Sequence, residues 1–343
     1  MYAFFLSITL MGDSFKFFGR GFAEQLLTTT SNPFVGLFIG ILATSLVQSS
    51  STTTSMVVGL VAGGALGVSG AIPIVIGANI GTSVTNTMVS IGHISRPAEF
   101  RRAVAAATVH DFFNLIAVAI LFPLQLATNF LGNASNFLGT QLQDAGGMQL
   151  INPVKLIVDP VADLIASLTG ESGAIMLIIS ISLLFTALRY IVVNLKVLVI
   201  GRVEAFFDSV LFKTAFRAMM FGLILTIMVQ SSSITTSLAV PLAGAGILTL
   251  QQIFPMTLGA NIGTTITAML AALMTGELSA VTVAFAHVLF NVIGIIIVWP
   301  IRRVPIYLAT LLADQTVKSK LIPLAYIATV FFLIPLALIL LVG

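Results

Sequence analysis

No cysteine occurs among the 343 residues. Disulfides, thiolate metal sites and cysteine nucleophiles are therefore excluded. Charge is almost as scarce: 15 Lys and Arg and 12 Asp and Glu make up only 8% of the chain, against roughly 25% in a soluble domain. Hydrophobic residues reach 58% and the mean hydropathy is +1.11. A chain so poor in charge cannot coat a water-facing surface, so most of its solvent must be lipid. A net charge of +3 spread over so few groups makes no basic patch, and no nucleic-acid partner is expected. The apolar run 1–11 has neither a basic flank before it nor a small-residue cleavage site after it, so it reads as part of a span rather than a cleaved signal. An all-α polytopic membrane protein remains.

A span requires about 20 mostly apolar residues. Full spans are expected near 2–18, 71–92, 103–131, 172–195, 250–275, 279–299 and 321–342. Two further apolar stretches, 34–66 and 218–246, are interrupted by Ser and Thr runs and are too short for two spans each. Each reads as a re-entrant hairpin that enters and leaves on one side. This layout places Arg96, Arg101, Arg102, Arg189, Lys196, Arg202, Lys213, Arg217, Arg302, Arg303, Lys318 and Lys320 on one face, and Lys16, Arg20 and Lys155 on the other. The richer face is cytoplasmic by the positive-inside bias, with the N-terminus on it. The outer connection 132–171 carries Asp144, Asp159, Asp163 and Glu171 and an interfacial helix near 154–168, and an amphipathic stretch at 197–213 is expected to lie in the cytoplasmic interface.

The chain repeats itself. The segment 44–55, containing Gln48-Ser49-Ser50-Ser51, recurs at 226–237 with Gln230-Ser231-Ser232-Ser233. Gly-Ala-Asn-Ile-Gly-Thr at 77–82 recurs at 259–264 with the same offset of 182 residues. Without gaps, 21 of the 42 positions in 44–85 match 226–267. His110 to Asn114 then aligns with His287 to Asn291 at an offset of 177. An odd number of full spans separates the two serine motifs, so the second copy is expected to be inverted, each copy holding a hairpin and an interrupted transmembrane helix. Inverted repeats with interrupted helices point to a secondary transporter whose site lies between the repeats near the midplane.

The repeated residues suit that site. A half-helix starting at Ser50 or Ser232 offers unpaired N–H groups and hydroxyls to an anion. Gln48, Ser49, Ser50, Ser51, Gln230, Ser231, Ser232 and Ser233 are the candidate anion ligands. Gly77 and Gly81 around Asn79, and Gly259 and Gly263 around Asn261, would permit local unwinding that bares carbonyl oxygens to Na+. With them go Thr53, Thr54, Thr82, Thr235, Thr236 and Thr264. Asp111, whose counterpart is Val288, is an acidic side chain well inside a span, and such groups are costly and usually functional. It would add one cation site in one repeat only. His110 and His287 serve packing or proton linkage equally well, and Asp13 and Lys16 are placed to pair across one helical turn. With no basic side chain clearly at midplane depth, a bound anion must be balanced by helix ends, hydroxyls and co-bound cations. No reactive dyad suggests an enzyme.

At these residues the chain resembles the type II sodium-dependent phosphate cotransporter family. The paired Gln-Ser-Ser-Ser motifs, Gly-Ala-Asn-Ile-Gly-Thr-Ser-Val-Thr-Asn at 77–86, Phe-Arg-Arg-Ala at 100–103 and Thr-Val-His-Asp-Phe-Phe-Asn at 108–114 carry the likeness. The resemblance implies sodium-driven uptake of inorganic phosphate, with the serine motifs cradling phosphate and Na+ as the co-transported ion. It also implies electrogenic transport from an Asp at position 111, and a sodium role for Asn114 and, at the matching position of the second copy, for Asn291. Where relatives carry an acidic residue and a Gln in the connector, this chain has Arg96 and His93. A carrier of another small oxyanion or dicarboxylate stays open, and behind it an anion channel. The expected domains are an N-terminal span and outer connector (1–33), repeat 1 (34–131), the outer loop (132–171), a span with an interfacial helix (172–213), repeat 2 (214–300) and a C-terminal segment (301–343). The bare termini suggest a prokaryotic protein or a trimmed chain, and a plasma membrane, as a bacterial inner membrane, is the expected location, with the C-terminus outside. Homo-oligomerisation is left open.

Overall fold

The computed structural model describes residues 2–17, 28, 30–147, 152–203, 212–316 and 318–342. Every regular element among them is a helix. The expected position of Arg20, and most of the amphipathic stretch at 197–213, lie outside the described residues or carry undescribed side chains. Among the described residues, five helices are long and apolar enough to cross a membrane: Val68–His93, Pro97–Thr128, Leu250–Thr275, Leu278–Val298 and Ile322–Leu341. Each coincides with an expected span. The first helix, α1 (Tyr2–Phe17), is described for 16 residues, short of the ~20 a span requires. Its Asp13 and Lys16 pair at 3.0 Å, as their spacing predicts.

Both serine-interrupted stretches are helical hairpins. The first consists of α2 (Pro33–Val47) and α3 (Ser50–Ala62). After it come α4 (Val68–Gly81), α5 (Val84–Ser90) and α6 (Pro97–Thr128). The expected outer loop contains two helices, α7 (Phe130–Asp144) and α8 (Asn152–Leu168), the latter enclosing the expected 154–168. Helix α9 (Gly173–Val203) leads to the second hairpin, α10 (Ala215–Val229) and α11 (Ser232–Gly244). Then follow α12 (Leu250–Thr275), α13 (Leu278–Val298) and α14 (Arg303–Gln315). The last span opens with α15 (Ile322–Ile327), passes through a π-helical stretch at Ala328–Leu333 and ends in α16 (Ile334–Val342).

One expectation needs correction. The glycines around Asn79 and Asn261 do not unwind their helices. In the first copy the break falls just beyond the motif, at Thr82–Ser83 between α4 and α5. In the second copy α12 runs through without interruption. The glycines instead let two backbones touch. A Cβ at Gly77 would overlap the Leu37 carbonyl oxygen, and one at Gly259 would overlap that of Met219. A Cβ at Gly81 would come within 2.6 Å of the Ile41 oxygen, and one at Gly263 within 2.6 Å of the Thr226 Cβ. From the opposite helices, Gly40 and Gly222 press in the same way on the carbonyls of Ile74 and Met256. Spaced four apart, these glycines form the small-residue face by which membrane helices pack. All three contacts recur at the 182-residue offset, so the two copies share their packing as well as their sequence.

The copies meet different surroundings at their ends. Ala62, at the end of α3, lines a cavity of about 310 Å³ with Lys16, Lys155 and Thr275, and Lys155 Nζ donates to the Thr275 carbonyl at 2.9 Å. Gly244, its counterpart at the end of α11, accepts from Arg102 Nε at 3.0 Å and would press a Cβ against the His93 ring. Leu250, the first residue of α12, packs with Ile94 against Phe100 and Ala313.

Gly259→Ala should therefore lower the melting temperature in detergent, because the added methyl must separate α10 from α12, an overpacking cost of about 1–3 kcal/mol. Gly92→Ala, where a Cβ meets open space, should leave it unchanged. Equal melting of the two variants would contradict the packing role.

Candidate functional site

The two serine motifs form the same turn twice. Gln48 takes a left-handed conformation (φ 56°, ψ 28°) and Ser49 an extended one (φ −151°, ψ 104°). Gln230 and Ser231 reproduce them at φ 52°, ψ 31° and φ −151°, ψ 106°. A left-handed conformation is uncommon in a residue with a Cβ, and such backbone strain concentrates at ligand sites. The Gln48 N–H donates to the Thr44 carbonyl at 2.7 Å and the Gln230 N–H to that of Thr226 at 2.6 Å, closing the first arm of each hairpin. Ser49 and Ser231 then cap the second arms. Their Oγ atoms accept from the N–H groups of Thr52 and Ile234 at 3.2 and 3.3 Å. The next residues, Ser50, Ser51, Ser232 and Ser233, are buried at these helix starts. There the first N–H groups have no acceptor within their own helix.

The tips meet. Ser233 Oγ lies 3.5 Å from the Gln48 carbonyl and 3.5 Å from that of Thr82. Asn86 ties the second tip to the first copy, its Oδ1 accepting from Thr236 at 3.0 Å and from Ser237 at 2.9 Å. The hydroxyls of Thr53, Thr54, Thr82, Thr235 and Thr264 all point back to carbonyls four residues earlier, at 2.8–3.2 Å. With its proton so used, each oxygen keeps lone pairs for a cation.

Beside the tips, the four candidate asparagines join in one buried network with the two histidines. His110 Nε2 bonds Asn261 Oδ1, and His287 Nε2 reaches Asn79 Oδ1 at 3.3 Å. These are reciprocal contacts between equivalent residues, the pattern a two-fold relation produces. Asn261 Nδ2 donates to Asn114 Oδ1 at 2.9 Å and Asn114 Nδ2 to the Asn79 carbonyl at 3.0 Å. Asn291 Nδ2 sits 3.3 Å from Asn79 Oδ1. The Ser83 hydroxyl meets the other His110 nitrogen at 2.9 Å, so each ring nitrogen of His110 has a partner. Several atoms here have none: Ser51 Oγ, Ser55 Oγ, His287 Nδ1 and Asn291 Oδ1 are buried without a hydrogen bond. Buried polar atoms left unpaired beside two helix starts are what a bound ion would satisfy.

Asp111 stands apart from this network. It is 0% exposed and both carboxylate oxygens lack a hydrogen bond. Its polar neighbours are Ser83 and Tyr326. Sequence reasoning passed over three residues here: Ser83, Asn86 and Tyr326. At the repeat offset Asn86 corresponds to Ala268, so a search for duplicated polar residues skips it. The asymmetry that singled out Asp111 would have found it. In the connector, Arg96 and His93 both reach Glu99, at 3.0 and 3.2 Å.

The sequence profile of the Na+/Pi-cotransporter family matches residues 3–143 and 183–312. The interval between them, 144–182, covers the later part of the expected outer connection and the start of the span expected at 172–195. Sodium-dependent phosphate transport protein 2A of Ovis aries is 33% identical over 98% of this chain and 65% of its own length. Sodium-dependent phosphate transport protein 2B of Homo sapiens is 32% identical over 98% of this chain and 63% of its own. The 2B protein of Bos taurus is 34% identical over 98% and 63%. The chain thus spans just under two thirds of the length of these relatives. No solved structure matches significantly.

Asn261→Ala should strand the buried Asn114 Oδ1, at a cost of about 1–3 kcal/mol, and leave His110 Nε2 only the longer contact to Asn114 Nδ2 at 3.3 Å. In a double-mutant cycle with His110→Ala, unfolding free energies should be strongly non-additive. Additive losses would show that the two copies are not coupled through this bond.

Proposed function

The chain belongs to the Na+/Pi-cotransporter family, and on that footing we propose that it couples Na+ influx to uptake of inorganic phosphate by alternating access. The observation that carries this reading is the meeting of two capped helix starts, at Ser49 and Ser231, on orphaned buried oxygens between the copies. Phosphate binds between Gln48–Ser51 and Gln230–Ser233, held by hydroxyls, amides and unpaired backbone N–H groups. Desolvating a phosphate at membrane depth is costly unless its charge is balanced. Na+ supplies that balance, held by oxygens of Asn79, Thr82, Thr53, Thr54, Asn114, Asn261, Thr264, Thr235, Thr236 and Asn291, with a further ion at Asp111. The names of the relatives, sodium-dependent phosphate transport proteins 2A and 2B, support the same substrates.

The repeats are inverted in this reading. Repeat 1 spans 34–131 and repeat 2 spans 214–300. Support comes from the bundle ends: α3 finishes beside Thr275, where α12 ends, whereas α11 finishes beside His93 and Arg102, near where α12 begins. Antiparallel copies give the loaded site two symmetric ways out, one to each side of the membrane. The chain sits in a plasma membrane, of a bacterium, with its N-terminus and the arginine-rich end cytoplasmic and its C-terminus outside.

Purified protein in liposomes should accumulate labelled phosphate when an inward Na+ gradient is imposed, and should stop when Na+ is replaced by choline. Uptake of a different solute, or none driven by Na+, would sink the reading. Asp111→Gly should retain phosphate uptake but lose the net current. An unchanged current in that variant would remove the role assigned to Asp111.

A further inference from the structure

The last span lies outside both repeats, yet it reaches the asymmetric carboxylate. Tyr326, on α15, keeps part of its ring at the periphery while its hydroxyl is fully buried and makes no hydrogen bond. That hydroxyl stands beside the Asp111 carboxylate, whose two oxygens are also unpartnered. The Ser83 hydroxyl approaches the same carboxylate from the break between α4 and α5. Two rings fix the tyrosine: Phe112, next to Asp111, lies 6.2 Å away, and the fully buried Phe331 sits edge-on at 5.8 Å. Phe331 belongs to the π-helical stretch at Ala328–Leu333, and π-bulges occur frequently at functional sites.

We propose that Tyr326 completes a monovalent-cation subsite with Asp111 and Ser83, so that the C-terminal span supplies a ligand that neither repeat contains. The inference rests on the transport reading above and adds a residue to it. The chemistry is specific. One carboxylate and two neutral hydroxyls are hard oxygen ligands that balance a single positive charge. A divalent ion would leave a net charge in an apolar surrounding. Without the ion, both carboxylate oxygens and the Tyr326 hydroxyl are left without a hydrogen bond, which is costly, while Ser83 keeps its bond to His110. With it, the Ser83 and Tyr326 oxygens turn lone pairs to the metal and the carboxylate keeps its charge. Val288 stands at the Asp111 position of the second copy, so that copy lacks the carboxylate on which the subsite is built.

Tyr326→Phe removes the hydroxyl and keeps the ring packed against Phe112 and Phe331. In liposomes it should raise the apparent KM for Na+ about fivefold, the effect of losing one such interaction, while the phosphate KM at saturating Na+ and the maximal rate stay near wild type. Without phosphate, NaCl should raise the melting temperature of the wild type over choline chloride. Asp111→Asn and Tyr326→Phe should each shrink that rise, and the double variant should lose no more than Asp111→Asn alone. Tyr307→Phe, at an exposed ring, serves as the control and should behave as wild type. A Tyr326→Phe protein with unchanged Na+ dependence overturns the proposal and leaves the transport reading standing. A wild type whose melting ignores Na+ and whose uptake needs none overturns both.

Discussion

Polar groups at membrane depth have no water to satisfy them, and every part of this structure follows from that constraint. Threonine hydroxyls bond the carbonyls of their own helices. Ser49 and Ser231 cap the helices they begin. Histidine and asparagine side chains close a network across the two copies. Glycines bring helix backbones into direct contact where no side chain would fit. Against so complete an accounting, the few oxygens left without partners stand out. Among the described residues most of them lie at the serine tips, at the asparagine network and around Asp111, with Thr9 and Thr85 as exceptions. The places where the protein fails to satisfy itself are the places where an ion can.

Duplication and asymmetry divide the work. The paired tips and the reciprocal histidine–asparagine bonds are common to both copies and supply the frame. Asn86 and Asp111, paired at the repeat offsets with Ala268 and Val288, belong to the first copy alone. Asn86 ties the second tip to the first copy, while Asp111 opens toward the last span. A symmetric frame suits a site that must face both sides of a membrane. A carboxylate present in one copy alone gives that copy a cation ligand the other lacks.

Much of this was legible in the residues before any coordinates. Hydropathy located the five candidate spans, and the serine runs located both hairpins, because each signal is long or duplicated. Asn79 and Asn261 were chosen by repetition and Asn114 by the family likeness, and with Asn291 they meet in one network. The glycine motif was misread for a physical reason: Gly77 and Gly81 are compatible both with unwinding and with close packing. Only the position of the Leu37 and Ile41 carbonyls decides between them. The helices of the outer connection were partly missed because α7 (Phe130–Asp144) is polar and continues from α6 after a single left-handed residue, Asn129. Tyr326 could not be found, since nothing local to the last span records which helix it touches.

The central claim is that the two serine tips hold one phosphate between them with Na+ beside it. A cryo-electron microscopy map of the protein in Na+ and phosphate tests it most directly. The account predicts tetrahedral density between Ser49–Ser51 and Ser231–Ser233, lost when phosphate is replaced by chloride. Phosphate density at any other place, with the tips still in direct contact, would contradict it.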